Sequence, residues 1–288
     1  MDCFSRNGRM IMIYLESEEK YKILCLDGSE GLRNIPENTV KLVYGSPPYP
    51  NAKRNYGEWS ENDYIDKISP FIEASYKALR DDGFLVINVK ANRTRKSQRN
   101  SSKRSLIIEK LALLLEEKWN FYCVDIEIWV KGNPAPTGLR VACQDAYEQI
   151  LWFSKAPVWN INIDAIRKPY AEHSLEMYED YQYKARNNGL DYVRKNKKIE
   201  PNPLGALPQN VIVCGVANNK TMHQAVQPII LPEKYIKACT NETDLVVDPW
   251  VGSGTTAEAA LKLNRRFIGF DIFQEYVDLS TNRIKNRM

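Results

Sequence analysis

Two short segments carry residue types whose spacing could do chemistry. Asp248-Pro249-Trp250-Val251-Gly252-Ser253-Gly254-Thr255-Thr256-Ala257 follows a short apolar run and opens a helical pattern. Gly252 and Gly254 let the backbone turn tightly and let a ligand approach it, while the helix N-terminus favours an anionic group. Asp271 stands 23 residues after Asp248, at the end of the next apolar run. That is close to the ~20-residue offset at which an acid bonds ribose hydroxyls in Rossmann-type sites. A tight packing turn produces the same glycine spacing, so the strand before, the helix after and the acid beyond are what make this a nucleoside signal. The second segment is Ser46-Pro47-Pro48-Tyr49, at the carboxyl end of another apolar run, where open α/β sheets bind ligands. Two prolines fix the backbone and remove two N–H donors, which leaves Ser46 and the Pro47 carbonyl as acceptors and Tyr49 as a flat stacking face. A rigid proline turn with a packing tyrosine would read the same way.

The ligand class narrows by exclusion. No Gly-Lys-Ser/Thr follows the glycines, so a Walker-type phosphate loop is out. A dinucleotide needs two mononucleotide halves. Only 17 residues follow Asp271, so the rest of the sheet must come from the N-terminal half, in a circularly permuted order. Six cysteines without a C-x-x-C and two histidines make a structural zinc site improbable, and no metal is expected. Reduced thiols in a cytoplasmic protein are the simplest reading. Hydrophobic content of 43% with 26% charged residues is that of a folded protein rather than a disordered one. No apolar run reaches the ~18–20 residues of a membrane span, and Met1 to Arg9 lacks a signal-peptide core. The net charge of +4 permits nucleic acid as a partner without demanding it. Its placement says more: Lys90 to Arg104 holds Arg93, Arg95, Lys96 and Arg99 among seven cations and no acid, and reads as a flexible basic loop suited to phosphates or simply to solvent.

The elements that must position these segments alternate. Strands are expected at Tyr21–Leu26, Val40–Tyr44, Phe84–Val89, Phe121–Val130, Tyr147–Phe153, Asp244–Val247 and Arg266–Phe270. Helices are expected at Asp63–Leu79, Ser105–Glu117, Pro232–Cys239, Thr255–Leu263 and from Gln274. Asp82-Gly83 is expected to close the first of those helices. Such alternation indicates an α/β sheet with helices on both faces. Between Val158 and Pro208 the alternation breaks into a stretch rich in Tyr, Asn, Lys and Glu, so residues 158–208 read as an inserted small subdomain between 1–157 and 209–288.

Taken together, Ser-Pro-Pro-Tyr in the first fifth and Asp-Pro-Trp-x-Gly-Ser-Gly-Thr-Thr near the end resemble the β-class amino-DNA-methyltransferases, in which the catalytic motif precedes the cofactor motif. Leu26-Asp27-Gly28 resembles that family's acidic strand end near the cofactor adenine. Trp129-x-Lys131-x-Asn133-Pro134 and Ala146-Tyr147-Glu148-Gln149-Ile150 resemble its segments bordering the target base, and His223-x-Ala225 resembles the lead into the cofactor strand. Trp250 stands where Phe is common.

The resemblance implies a permuted Rossmann-like class I methyltransferase sheet with an inserted target-recognition subdomain, and S-adenosylmethionine as cofactor. Asp27, His223, Asp248, Pro249, Trp250, Gly252, Ser253, Gly254, Thr255, Thr256 and Asp271 would hold that cofactor. Ser46, Pro47, Pro48 and Tyr49 would be catalytic, and Arg93, Arg95, Lys96, Arg99, Lys131 and Asn133 would meet DNA. The implied partner is double-stranded DNA, with a separate cognate restriction endonuclease allowed by a restriction-modification role. An exocyclic amine inside a duplex is out of reach, so the nucleotide would be flipped at a cost of a few kcal/mol, about 1–3 of which stacking on Tyr49 would offset. Family members with Ser at the first motif position mostly resemble N4-cytosine enzymes, whereas Asp accompanies N6-adenine. The rivals are the N6-adenine enzyme, a DNA-binding module whose pocket no longer works, and a dehydrogenase, which permutation and Ser-Pro-Pro-Tyr disfavour.

Overall fold

The computed structural model describes residues 12–52, 57, 59–90, 93–95, 102–132, 143–175, 201–216 and 226–287. They divide into two compact units, one of residues 1–161 with 210–288 and one of residues 162–209. The larger unit is built on ten strands: β1 (Tyr21–Cys25), β2 (Val40–Gly45), β3 (Leu79–Val89), β4 (Arg93–Arg95), β5 (Ser102–Arg104), β6 (Tyr122–Lys131), β7 (Tyr147–Ser154), β8 (Val211–Cys214), β9 (Leu245–Asp248) and β10 (Arg266–Asp271). Its helices are α1 (Gly28–Arg33), α2 (Tyr64–Ala78), α3 (Ile107–Glu117), α4 (Ile230–Cys239), α5 (Thr255–Lys262) and α6 (Gln274–Lys285).

Eight strands form one sheet in the order β1-β10-β9-β2-β3-β7-β6-β8, all parallel to their neighbours except β7, which runs antiparallel to both β3 and β6. The permuted order requires the first strand to pair with the last. It does so in register, with Tyr21 opposite Phe267 and Cys25 opposite Asp271. Side chains alternate across the strands, so two cores form. Val43, Leu85, Ile87, Leu151, Val247 and Phe270 pack with Leu32 of α1, Ile68 and Ile72 of α2, and Ile108, Leu111 and Leu115 of α3. On the opposite face, Tyr44 and Trp152 meet the ring of Tyr235 from α4 at centroid separations of 5.8 and 5.2 Å.

Three features depart from the sequence pattern. Asp82-Gly83 does not close a helix: α2 ends at Ala78, and Leu79 already pairs with Val40, so the dipeptide lies inside β3 at a register shift. The described parts of the basic run are not a flexible loop but an antiparallel pair, with Arg93 opposite Arg104 and Arg95 opposite Ser102. Helix α1 and edge strand β8 have no counterpart in the pattern, because six and four residues are too few to show a period.

The smaller unit is closed at its base by its own two ends. Lys168 and Ala206 exchange backbone hydrogen bonds of 3.1 and 2.8 Å, Arg167 donates to the Gly205 carbonyl at 2.8 Å, and Tyr170 Oη accepts from Asn202 N at 2.9 Å.

Helix α1 reaches the sheet only because Gly31 faces it: a Cβ there would lie 2.4 Å from Cε1 of the buried Phe270. Gly31→Ala is therefore expected to destabilise by about 1–3 kcal/mol through overpacking. In combination with Phe270→Leu, which withdraws the ring, the loss in denaturant titration should be smaller than the sum of the two single losses.

Candidate functional site

Strands β2 and β9 lie side by side and parallel, with Leu42 opposite Val246 and Val43 opposite Val247, so the two chemical segments leave the same edge of the sheet together. Strand order reverses at this point, β9 continuing to β10 and β2 to β3, which is where open α/β sheets form a crevice. A cavity of about 470 Å³ opens there, lined by Ser46, Pro47, Pro48, Tyr49, Asp248, Pro249, Trp250, Gly252, Ser253, Thr255 and Asp271. That volume lies in the range of small-molecule and cofactor sites.

The glycine turn is built around two carboxylates. Asp248 Oδ1 accepts from Trp250 N at 2.9 Å, and its Oδ2 accepts from the Thr256 hydroxyl at 2.6 Å. Asp271 Oδ2 accepts from Gly252 N at 3.0 Å, and its Oδ1 from Phe273 N at 3.1 Å. Both acids thus hold the turn's shape as well as lining the cavity. Gly254 takes φ +78° and packs on α6, where a Cβ would lie 2.7 Å from Ser280 Cβ. Arg283 of α6 donates to Thr255 Oγ1 at 2.9 Å and to the Ser253 carbonyl at 3.3 Å. Thr256 and Gly254 are therefore structural supports, outside the cavity lining. Asp27 lines the cavity and caps α1, accepting from Ser29 N, Ser29 Oγ and Glu30 N. The neighbouring Gly28 passes so close to the turn that a Cβ would meet the Pro249 carbonyl at 2.1 Å.

Aromatic rings form one wall. Trp250 packs on Phe71 at 4.9 Å between centroids, and Phe71 on Trp59 at 6.1 Å, with all three lining the cavity. A buried polar cluster also borders the cavity. Glu148, only 3% exposed, accepts from Tyr49 Oη at 2.6 Å and from Asn88 Nδ2 at 3.1 Å on Oε2, and pairs through Oε1 with Lys131 at 2.5 Å. The sequence reading gives Lys131 as a DNA contact in a segment bordering the target base, and Lys131 lines the cavity. Its ammonium is engaged there by Glu148 and the Trp129 ring, because a buried carboxylate must be paired. Half-burial and the nearby Lys131 lower the pKa of Lys90, which also lines the cavity.

Of the remaining expected residues, Arg93 and Arg95 lie in β4, while Lys96, Arg99, Asn133 and His223 lie outside the described residues. The basic run's Arg104 is spent internally, on Asp145 at 3.2 Å and on the Tyr147 hydroxyl. Sequence reasoning missed Asn88, and it named Glu148 only within a segment bordering the target base, without a role of its own. The available signal was a charged residue at an inward position of a strand otherwise buried. It also missed Gly45, where a Cβ would lie 2.7 Å from Asp248 Oδ1 and so hold β2 away from the turn.

Comparison with known proteins agrees with this geometry. The profile of a family described as DNA methylase, of the N6 and N4 types, matches residues 40–282. The type II methyltransferase M.PvuII of Proteus hauseri is 27% identical over 280 residues, covering 89% of this chain and 81% of that protein. The type II methyltransferase M1.MboII of Moraxella bovis is 28% identical over 291 residues, covering 95% and 98%. The solved PvuII DNA methyltransferase (cytosine-N4-specific) superposes with a TM-score of 0.70 at 22% identity, covering 92% of this chain and 86% of that one. The putative DNA modification methylase TTHA0409 of Thermus thermophilus, solved with S-adenosyl-L-methionine, superposes at 0.63 with 20% identity over 93% and 94%. These two likenesses establish the fold: an α/β sheet of the methyltransferase kind.

Burial pushes Asp248 up to about 7, against the pull of its two donors, with the Asp271 charge adding to the rise. Its folded value thus lies above the ordinary 3.8, so the folded protein keeps a proton that the unfolded chain releases. Stability from this group is fully present below about pH 4 and lost as pH rises through about 7, at up to about 1.4 kcal/mol per pH unit. Asp248→Asn should flatten the fall in melting temperature between about pH 4 and 7, since Thr256 can accept from the amide instead. An unchanged slope in differential scanning calorimetry would assign the pH dependence elsewhere.

Proposed function

The chain belongs to the DNA methylase family of the N6 and N4 types, and from that premise we propose that it transfers a methyl group from S-adenosylmethionine to the N4 amine of a flipped cytosine in a specific DNA sequence. One observation carries the reading: the Ser46–Tyr49 segment and the Asp248–Thr255 turn open into a single cavity from adjacent strand ends.

The residues present suit the cofactor. Asp248 and Asp271 give the cavity two carboxylates, matched to a ligand that carries a sulfonium and an ammonium. The Trp59–Phe71–Trp250 wall offers an apolar face to an adenine ring, and the turn's close backbone leaves room for a methionine moiety along Gly252–Thr255. Asp271 keeps lone pairs on both oxygens for ribose hydroxyls beyond the two N–H groups it already accepts. Bound there, the cofactor supplies an electrophilic methyl group, so the protein's task is alignment rather than strong-base chemistry.

Ser46 and the Pro47 carbonyl accept hydrogen bonds from the target amine and turn its lone pair toward the methyl. Tyr49 stacks on the base while its hydroxyl is anchored by Glu148. Ser46 at the first motif position matches the members of the family that mostly resemble N4-cytosine enzymes, and the PvuII enzyme that this chain resembles is cytosine-N4-specific. Residues 158–208 supply sequence choice, being rich in side chains that bond base edges. The type II relatives support a restriction-modification role with a separate cognate endonuclease.

Expression in a host free of modified bases, followed by digestion of its DNA to nucleosides and mass spectrometry, should yield N4-methylcytosine. N6-methyladenine without N4-methylcytosine would overturn the base assignment and leave the chemistry standing.

The basic run at 90–104 is assigned to phosphate contact, since Arg93, Arg95, Lys96 and Arg99 bring four cations without an intervening acid. Neutralising these four should weaken DNA binding and reduce the slope of log K against log salt by up to ~0.9 for each phosphate left without its cation. The same slope in filter binding would make the run a solvated surface.

A further inference from the structure

The buried cluster bordering the cavity has a polarity that alignment of the amine alone does not use. Ser46 Oγ donates to Tyr49 Oη at 3.2 Å, and Tyr49 Oη donates to Glu148 Oε2 at 2.6 Å. The direction is imposed by charge. An ionised carboxylate can only accept, so Tyr49 must donate to it, and the Tyr49 oxygen is then left to accept from Ser46. Ser46 Oγ in turn keeps its lone pairs for a donor in the cavity. Three donors converge on Glu148: Tyr49 from the loop after β2, Asn88 from β3 and Lys131 from β6. The other charged and titratable groups facing it are Lys90 at the end of β3 and Tyr44 on β2. Burial, with the adjacent carboxylate adding to it, pushes Tyr49 well above its ordinary value, so the phenol rests protonated and able to donate.

We propose that Ser46, Tyr49 and Glu148 form a proton relay in which Glu148, acting through Tyr49, takes up the proton that the target amine must lose. The inference rests on the amine-methylation reading above. The lone pair of a base amine is delocalised into its ring, so bonding to a methyl group puts positive charge on nitrogen before any proton leaves. The amine nitrogen forms its bond to the methyl carbon, and the pair that formerly bound that carbon stays on sulfur. Nitrogen then gives its proton to Ser46 Oγ as Ser46 passes its own to Tyr49 Oη and Tyr49 passes its own to Glu148 Oε2. Glu148 ends as the neutral acid, Lys131 keeps its charge, and the proton leaves to solvent after the methylated base does. A chain of donors already aligned toward a carboxylate stabilises the nitrogen charge as it develops. Glu148 is a positioning residue in this scheme, since it never touches the base.

The test measures single-turnover transfer of tritiated methyl from S-adenosylmethionine to unmodified plasmid DNA of mixed sequence, in H₂O and in D₂O. Glu148→Gln keeps the shape and acceptor but removes the proton sink. Glu148→Gln with Lys131→Met also removes the partner charge, so no ammonium is stranded. Tyr49→Phe keeps the ring and both charges while cutting the relay in the middle, and it decides the matter if a charge variant does not fold. Wild type should transfer more slowly in D₂O. The variants should be slower by about 10²-fold, the lower range of general acid–base effects, and should lose the isotope effect while binding S-adenosylmethionine with unchanged affinity in calorimetry. Transfer within about twofold of wild type, a slower variant that keeps the isotope effect, or a wild type with none overturns the relay. A wild type that methylates no DNA at all fails the amine-methylation reading itself, which separates the two failures.

Discussion

The site depends on one buried carboxylate. Asp248 ends the strand next to β2, and its two oxygens are spent on Trp250 N and the Thr256 hydroxyl, which ties the start of the glycine turn to the first turn of α5. Val251 N, donating to the Phe270 carbonyl at 2.9 Å, and Gly252 N, donating to Asp271, hold the same turn against β10. Asp248 also limits what can stand beside it, and Gly45 meets the limit by carrying no side chain. β2 can therefore deliver Ser46 to the cavity edge at the height of the turn. The cost is a carboxylate taken out of water, visible as a value pushed up to about 7.

A second buried carboxylate organises the polar cluster in a different way. Asp248 and Asp271 hold mainly backbone N–H groups and so define the path of the chain. Glu148 holds side chains, from three separate elements, and so defines where functional groups point. Each is satisfied by several donors, as a buried charge requires. The cavity is consequently rigid at its polar walls, and the aromatic wall of Trp59, Phe71 and Trp250 is left to meet a flat apolar ligand.

The permuted order costs the fold little. Parallel neighbours need only a crossover, and β1 finds β10 through five paired residues, with Leu26 N donating to the Asp271 carbonyl at 2.9 Å. That pairing brings Asp27 and Gly28, from near the start of the sequence, against Pro249 from near its end. The glycine-turn side of the cavity is thus assembled from segments near both ends of the sequence, and the Ser46–Tyr49 segment lies between them in sequence and beside them in space.

Much of this was legible in the residues alone. The alternation of apolar strands and amphipathic helices determined an α/β sheet. The glycine spacing with Asp271 pointed to a nucleoside turn placed last, and Ser-Pro-Pro-Tyr pointed to the segment that shares its cavity. These are local signals, carried by residues adjacent in sequence or one turn apart, where a period or a backbone constraint is visible directly. The tertiary structure decided the rest. Glu148 meets Tyr49 across 99 residues of sequence, and neither shows the other in any local pattern. Lys131 read as a DNA contact with no sign of its buried partner Glu148, and the described parts of the basic run became paired strands only when Arg93 found Arg104. Gly45 looked like an ordinary strand end because the atom it must avoid belongs to Asp248, two hundred and three positions on. A hydrogen bond or a steric contact depends on distance in space, and that distance does not exist until the chain has folded. Sequence therefore determined which chemistry was present, and packing determined which groups were free to perform it.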